Sequence, residues 1–159
     1  MFEHRYNQQH ARAMTAQVSS SPELLTLSEE RLSALTSEAV GVLGERVALA
    51  YLLECGYILE AQNWEGKTGE LDLIAYQGES LVFVEVRTVR NRWLSRPAEA
   101  VTLTKQRQVS RCADEYIRTQ SHRSLHHNIR FDVLGVLLIP RSAPLIDHVE
   151  NAFYSPWAF

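Results

Sequence analysis

The stretch Gly69-Glu70-Leu71-Asp72-Leu73-Ile74-Ala75-Tyr76-Gln77-Gly78-Glu79-Ser80-Leu81-Val82-Phe83-Val84-Glu85-Val86-Arg87 decides how this chain folds. Two β-rich runs, 70–76 and 81–89, flank a tetrapeptide in which Gly78-Glu79 has the glycine-first form of a two-residue II′ hairpin turn. That turn sets the register: Gln77 faces Ser80, Asp72 faces Glu85, and Glu70 faces Arg87. Directly opposed side chains have Cβ atoms about 4.5–5.5 Å apart, where two like charges destabilise a sheet. Asp72 lies between Leu71 and Leu73, and Glu85 between Val84 and Val86, so both strands are apolar enough to be central. Two carboxylates in such a place need compensation. A divalent cation supplies it economically, because Mg²⁺ is held by one or two carboxylates and completes its shell with water and substrate phosphate. Pairing with Arg87 or another cation is the purely structural alternative.

Before the hairpin, Thr36 or Ser37 caps a helix that stops at Gly56, and residues 57–63 form a further strand. On that helix Glu45 has Ala48, Leu49 and Leu52 at its i+3, i+4 and i+7 positions, which places a carboxylate on an apolar face. Thr26 with Glu29 has the form of a capping box for a short helix to about Leu35, and the polar segment before it reads as a flexible tail. After the hairpin, Pro97 opens a helix over 97–119, followed by a His-containing loop and strands at 129–139 and 146–149. The expected fold is α/β, a mixed central sheet flanked by helices, with residues 1–35 as an extension and 36–159 as one domain.

The whole chain, 159 residues with 45% hydrophobic and 22% charged content, suits one domain with a real core. It contains no apolar run of membrane-spanning length, and its N-terminus is too polar for a secretory signal, so a cytoplasmic location and no membrane partner are expected. Cys55 and Cys112 lack metal-ligand spacing and read as buried thiols. The net charge of −3 argues against a generally cationic nucleic-acid binder. Charge is nevertheless divided: residues 87–130 hold ten Lys or Arg against three acids, and the remainder holds six against sixteen. Within the basic stretch Arg107, Arg111 and Arg118 form a stripe on one helix, a surface suited to phosphates. Arg90 and Arg92, with Trp93, add charge and a stacking ring just beyond the Glu85 strand. An ordinary solvated helix would carry the same stripe.

Taken together, Gly41-x-x-Gly44-Glu45, Gly56-Tyr57-x-Leu59, the Gly69–Ala75 and Leu81–Arg87 strings above, Ala98-Glu99-Ala100-Val101 with Lys105, Arg130-Phe131-Asp132-Val133 and Glu150-Asn151-Ala152-Phe153 resemble the bacterial YraN-like family. That family is similar to Holliday-junction resolvases and belongs with the restriction-endonuclease-like PD-(D/E)xK nucleases. The resemblance implies a restriction-endonuclease-like fold and a metal-dependent endonuclease acting on DNA, including branched structures, with Mg²⁺ or Mn²⁺ as cofactor. It also implies that Asp72 and Glu85 are metal ligands, that the Val86 carbonyl is a further ligand, and that Glu45 is the family's helix acid. A homodimer fits, since a two-fold enzyme matches paired cuts.

One position departs from the nuclease pattern, which has lysine two residues after the strand glutamate where this chain has Arg87. Lysine there can be desolvated to a lower pKa and activate water, whereas arginine stays charged and only stabilises or orients. The chain contains two lysines, Lys67 and Lys105, and Lys105 lies four residues from both Val101 and Val109 on the inward face of its helix. The expected catalytic set is therefore Glu45, Asp72, Glu85, Arg87 and Lys105. The rival readings are a nucleic-acid-binding protein that kept the nuclease fold and lost catalysis at Arg87, and an RNA-processing or structural accessory protein.

Overall fold

A computed structural model of the chain describes residues 16–17, 22–92, 95–120 and 128–156. Its elements are β1 (Ala16–Gln17), α1 (Pro22–Leu25), α2 (Glu29–Ala34), α3 (Ser37–Glu54), β2 (Ile58–Glu65), β3 (Glu70–Gln77), β4 (Ser80–Arg90), a 3₁₀ turn (Pro97–Ala100), α4 (Leu103–Thr119), β5 (Asn128–Leu138) and β6 (Leu145–Phe153). The sheet order is β1-β6-β5-β4-β3-β2. All neighbours are antiparallel except β4 and β5, so the sheet is mixed. Among the described residues, no helix is long and apolar enough to cross a membrane.

Alternation along β4 distributes two cores. Val82 and Val84 face α3 and pack with Val47, Ala48, Leu52, Leu134 and Val136. Leu81 and Phe83 face α4 and pack with Val109, Cys112, Ala113 and Tyr116. On the α4 side Phe131 stacks between Phe83 and Phe153, with ring centroids 5.5 and 5.1 Å away. The N-terminal extension contributes to the other core, where Leu24 and Leu32 are buried.

Near the turn the hairpin has the register that the glycine dictates, whereas Asp72 with Glu85 and Glu70 with Arg87, also expected to face one another, are not ladder pairs. Gln77 pairs with Ser80, and the ladder runs unbroken to Leu73 and Val84. Gly78 has φ +57 while Glu79 does not enter the left-handed region, as a II′ turn requires.

Three details differ from the sequence expectation. The helix over 97–119 is two pieces: Pro97 opens only a 3₁₀ turn, and Thr102 then caps α4 by accepting the Lys105 N–H at 3.3 Å. The short N-terminal helix is capped by Ser28, whose hydroxyl accepts from Arg31 N at 3.3 Å, rather than by Thr26. Cys55 is exposed because it is the C-cap of α3, outside the last helical turn, whereas Cys112 is buried. Most of the polar N-terminal tail, together with Trp93, His122, His126 and His127, lies outside the described residues.

Candidate metal and phosphate site

Beyond Leu73 the hairpin ladder gives way to a side chain. Asp72 Oδ2 accepts the backbone N–H of Val86 at 2.7 Å, so a carboxylate takes the place of a strand carbonyl. In an extended strand a residue's C=O leaves on the same side as its N–H, so the Val86 carbonyl is directed to the Asp72 side as well. Glu85 shares this face and is only 3% exposed. Burial, then the neighbouring Asp72 charge, pushes the Glu85 carboxyl up to about 7. Asp72 is also raised, mainly by burial, against the Val86 hydrogen bond and the nearby Lys105 cation. Glu85 therefore senses the charge of Asp72.

Glu45 completes the acidic group from α3. Its carboxyl is raised by burial first and by Asp72 next, while a hydrogen bond from the Asn63 side chain opposes the shift and Glu70 adds to it. The sequence offers no sign of Asn63 and marks Glu70 only as a residue expected to face Arg87. Asn63 stands in β2 with φ +47, an unusual conformation for a strand residue, and no pattern in the sequence signals it.

The cations come from two elements. Lys105 Nζ lies 3.2 Å from Glu85 Oε1, and Arg87 Nη1 lies 3.8 Å from the same oxygen. Lys105 is the third residue of α4, where the helix dipole disfavours positive charge. Its ammonium is repelled by its own helix end and attracted by the buried carboxylate. Arg87 directs Nη2 to the Ala100 carbonyl at 3.3 Å, which ties β4 to the 3₁₀ turn. Lys67 belongs elsewhere: its backbone N–H is held by both Glu115 oxygens, at 3.1 and 2.9 Å, and its side chain is exposed.

Glu45 and Arg87 also border a cleft of about 440 Å³ between the N-terminal half of α3, the end of β4 and the 3₁₀ turn. Among the described residues no three His, Cys, Asp or Glu side chains form a ready-made metal cage. The donor set matches the other mode of divalent binding, in which one or two protein carboxylates leave the remaining positions to water and phosphate.

The arginines divide into two kinds. Arg107, Arg111 and Arg118 are exposed on α4, with Arg118 paired to Asp114 at 2.9 Å, and Arg92 is exposed after β4. Arg90 is different. Its Nη1 donates to the carbonyls of Leu32, Ser33 and Leu35 at 3.0, 3.2 and 2.9 Å, closing the C-terminal end of α2. Through Nη1 it clamps the end of α2 to β4.

A separate polar cluster lies on the α3 side of the sheet. Asp132, fully buried, accepts from Arg130 Nε and Nη2 at 2.9 Å each and from Asn151 N at 3.1 Å, and lies 2.8 Å from His148 Nε2. Arg130 also reaches Gln77 at 2.6 Å and the Tyr57 hydroxyl at 2.7 Å. These partners satisfy the buried charges and bind the hairpin to β5 and β6, which accounts for the Arg130-Phe131-Asp132 string by structure alone.

Comparison with known proteins agrees with the resemblance in the motifs. A "UPF0102 protein" of Rhodococcus opacus is 43% identical over 115 residues, covering 72% of this chain and 96% of the relative. UPF0102 proteins of Geobacter sulfurreducens and Bifidobacterium longum are 39% and 38% identical, covering 74% and 75% of this chain and 90% and 96% of theirs. The family model described as "Uncharacterised protein family UPF0102" matches residues 44–136, which include Glu45, Asp72, Glu85, Arg87 and Lys105. On this likeness, spanning most of the described domain, the chain belongs to the uncharacterised family UPF0102.

Proposed function

We propose that this protein is a divalent-metal-dependent endonuclease that hydrolyses DNA phosphodiesters, with branched DNA among its substrates. The observation that carries the reading is the pairing of the half-buried Asp72 with the buried Glu85, set where the β3–β4 ladder ends, with Lys105 3.2 Å from Glu85. Asp72, Glu85 and the Val86 carbonyl would hold Mg²⁺ or Mn²⁺. When bound, the cation would supply a Lewis acid able to activate water and to offset charge developing on the phosphate.

The chain's own residues have separable tasks. Asp72, fixed by the Val86 N–H, has its orientation set before any ligand arrives. Glu45, held by Asn63, accepts hydrogen bonds from water on the α3 side. Lys105 stands in for the missing strand lysine, positioning water or phosphate beside Glu85. Arg87 offers fixed positive charge to phosphate and braces the 3₁₀ turn. Arg92, Arg107, Arg111 and Arg118 extend the phosphate contact away from the site, and the active form is a homodimer matched to paired cuts.

The test is incubation of the purified protein with branched, flapped and linear DNA in Mg²⁺, Mn²⁺ or EDTA, alongside Asp72→Ala. Metal-dependent cleavage that Asp72→Ala abolishes supports the proposal. Retention of cleavage in EDTA, or in the variant, overturns it. A second reading, a DNA-binding protein that has lost catalysis, is favoured by one observation: Arg87 is tied to the Ala100 carbonyl. Metal and DNA binding without cleavage of any of these substrates would select it.

A further inference from the structure

Gly41 has no explanation inside the protein. Glycine within a helix is destabilising relative to alanine, because the unfolded chain gains freedom and the folded one gains no contact. Other glycines have a reason. A Cβ on Gly44 would lie 1.7 Å from Thr88 Oγ1, and one on Gly66 would lie 2.7 Å from the Trp64 ring. Gly56 and Gly78 take φ of +82 and +57. Gly41 is in ordinary helical conformation, and apart from its chain neighbours and its own helix backbone nothing lies within 4 Å of where its Cβ would be.

The space in front of Gly41 is the cleft beside the acidic site. Gly44 presses α3 against Thr88 of β4, and the part of the helix before that contact forms one wall. Ser95, Pro97 and Ala100 form the other wall, held by the Arg87 bond to the Ala100 carbonyl. Glu45 and Arg87 join the cleft to Asp72 and Glu85. Its volume of about 440 Å³ falls within the range of small-ligand sites and is far too small for a duplex. Hydroxyl-bearing Thr88 and Ser95 and apolar Val89 and Pro97 line it together with the anion Glu45 and the cation Arg87, a lining that suits a sugar and base with Arg87 left for the adjoining phosphate.

We infer that this cleft receives one unpaired nucleotide adjacent to the phosphodiester held at Asp72 and Glu85, its backbone passing close over Gly41. The protein thereby selects nucleic acid where a strand leaves the helix, since unstacking a nucleotide from intact duplex is unfavourable. The inference rests on the nuclease reading of the neighbouring site.

Gly41→Leu tests it, because a Cβ at this position meets nothing within 4 Å, the larger side chain occupies the cleft that Gly41 lines, and leucine favours the helix. The probes are a duplex with a single-stranded flap and a blunt, fully paired duplex, with binding followed by fluorescence anisotropy in Ca²⁺ instead of Mg²⁺. The parent protein should prefer the flap by about tenfold or more. Gly41→Leu should bring flap affinity down to the blunt level, with Gly41→Ala in between, while Mn²⁺ affinity and melting temperature do not fall. A parent that prefers the flap and a leucine variant that prefers it equally would show that the cleft takes no nucleotide. Equal binding of both probes by the parent overturns the inference as well. A parent that binds Mn²⁺ but neither DNA fails the nucleic-acid reading itself and removes the inference with it.

Discussion

Lys105 Nζ and Glu85 Oε1 lie 3.2 Å apart, joining the first turn of α4 to the centre of the sheet. The pair brings a lysine to the acidic site by a route other than the strand position that Arg87 occupies. Lys105→Met should therefore lower DNA cleavage by about 10²–10⁴-fold. Mn²⁺ affinity, measured by calorimetry, should hold or rise, because a cation competing for Glu85 has been removed. Arg87→Lys should leave cleavage unchanged or lower it. A large gain in Arg87→Lys would mean that the strand position, not Lys105, limits the reaction.

The carboxyl of Glu85, pushed up to about 7, makes a signed prediction about pH. Its folded pKa lies above the unfolded value, so the folded state binds more protons between roughly 4.5 and 7. Metal-free protein should lose stability as pH rises through that window, and Glu85→Gln should flatten the slope. Mn²⁺ affinity should rise over the same range, since the cation competes with the proton. Melting temperatures and calorimetry from pH 4.5 to 8 measure both; a metal-free stability that rises across the window contradicts the assignment.

Arg90 predicts a stability effect without a binding effect. Removing its bonds to Leu32, Ser33 and Leu35 with Arg90→Ala should cost about 2 kcal/mol, given that hydrogen bonds involving charged groups contribute about 1.5–3 kcal/mol. A protein of this length should then melt roughly 4–8 °C lower. The salt dependence of DNA binding should not change.

The exposed stripe on α4 predicts the reverse. Replacing Arg107, Arg111 and Arg118 with glutamine should weaken DNA binding and reduce the slope of log K against log salt by about 2–3, while leaving melting nearly unaltered. An unaltered slope would identify the stripe as solvated surface.

Gly44 and Gly41, one helical turn apart, should respond oppositely to alanine. Gly44→Ala drives a Cβ into Thr88 and should destabilise by about 1–3 kcal/mol. Gly41→Ala meets open space and should stabilise by up to about 1 kcal/mol. Thermal unfolding of the two variants decides whether the Gly44–Thr88 contact sets the position of α3.

Local chemistry determined the hairpin. A glycine-first turn fixes pairing within a few residues, and period-two alternation assigns the paired side chains to faces, so the ladder was legible as far as Leu73 and Val84, next to Asp72 and Glu85; the Asp72 bond to the Val86 N–H beyond it was not. The Glu45 face, the Thr36 cap and the Gly56 stop were legible for the same reason, since each depends on residues within two helical turns. Tertiary structure decided the rest. The Arg90 guanidinium bonds carbonyls more than fifty positions away, and Asn63 reaches Glu45 across the gap between β2 and α3. The break at Thr102 gave Lys105 its place in the first turn of α4, and only packing of α4 on the sheet brought it to Glu85. Sequence specifies which face a side chain occupies; the partner it meets there depends on how separate elements pack, and long side chains such as arginine and lysine can satisfy several arrangements until that packing selects one.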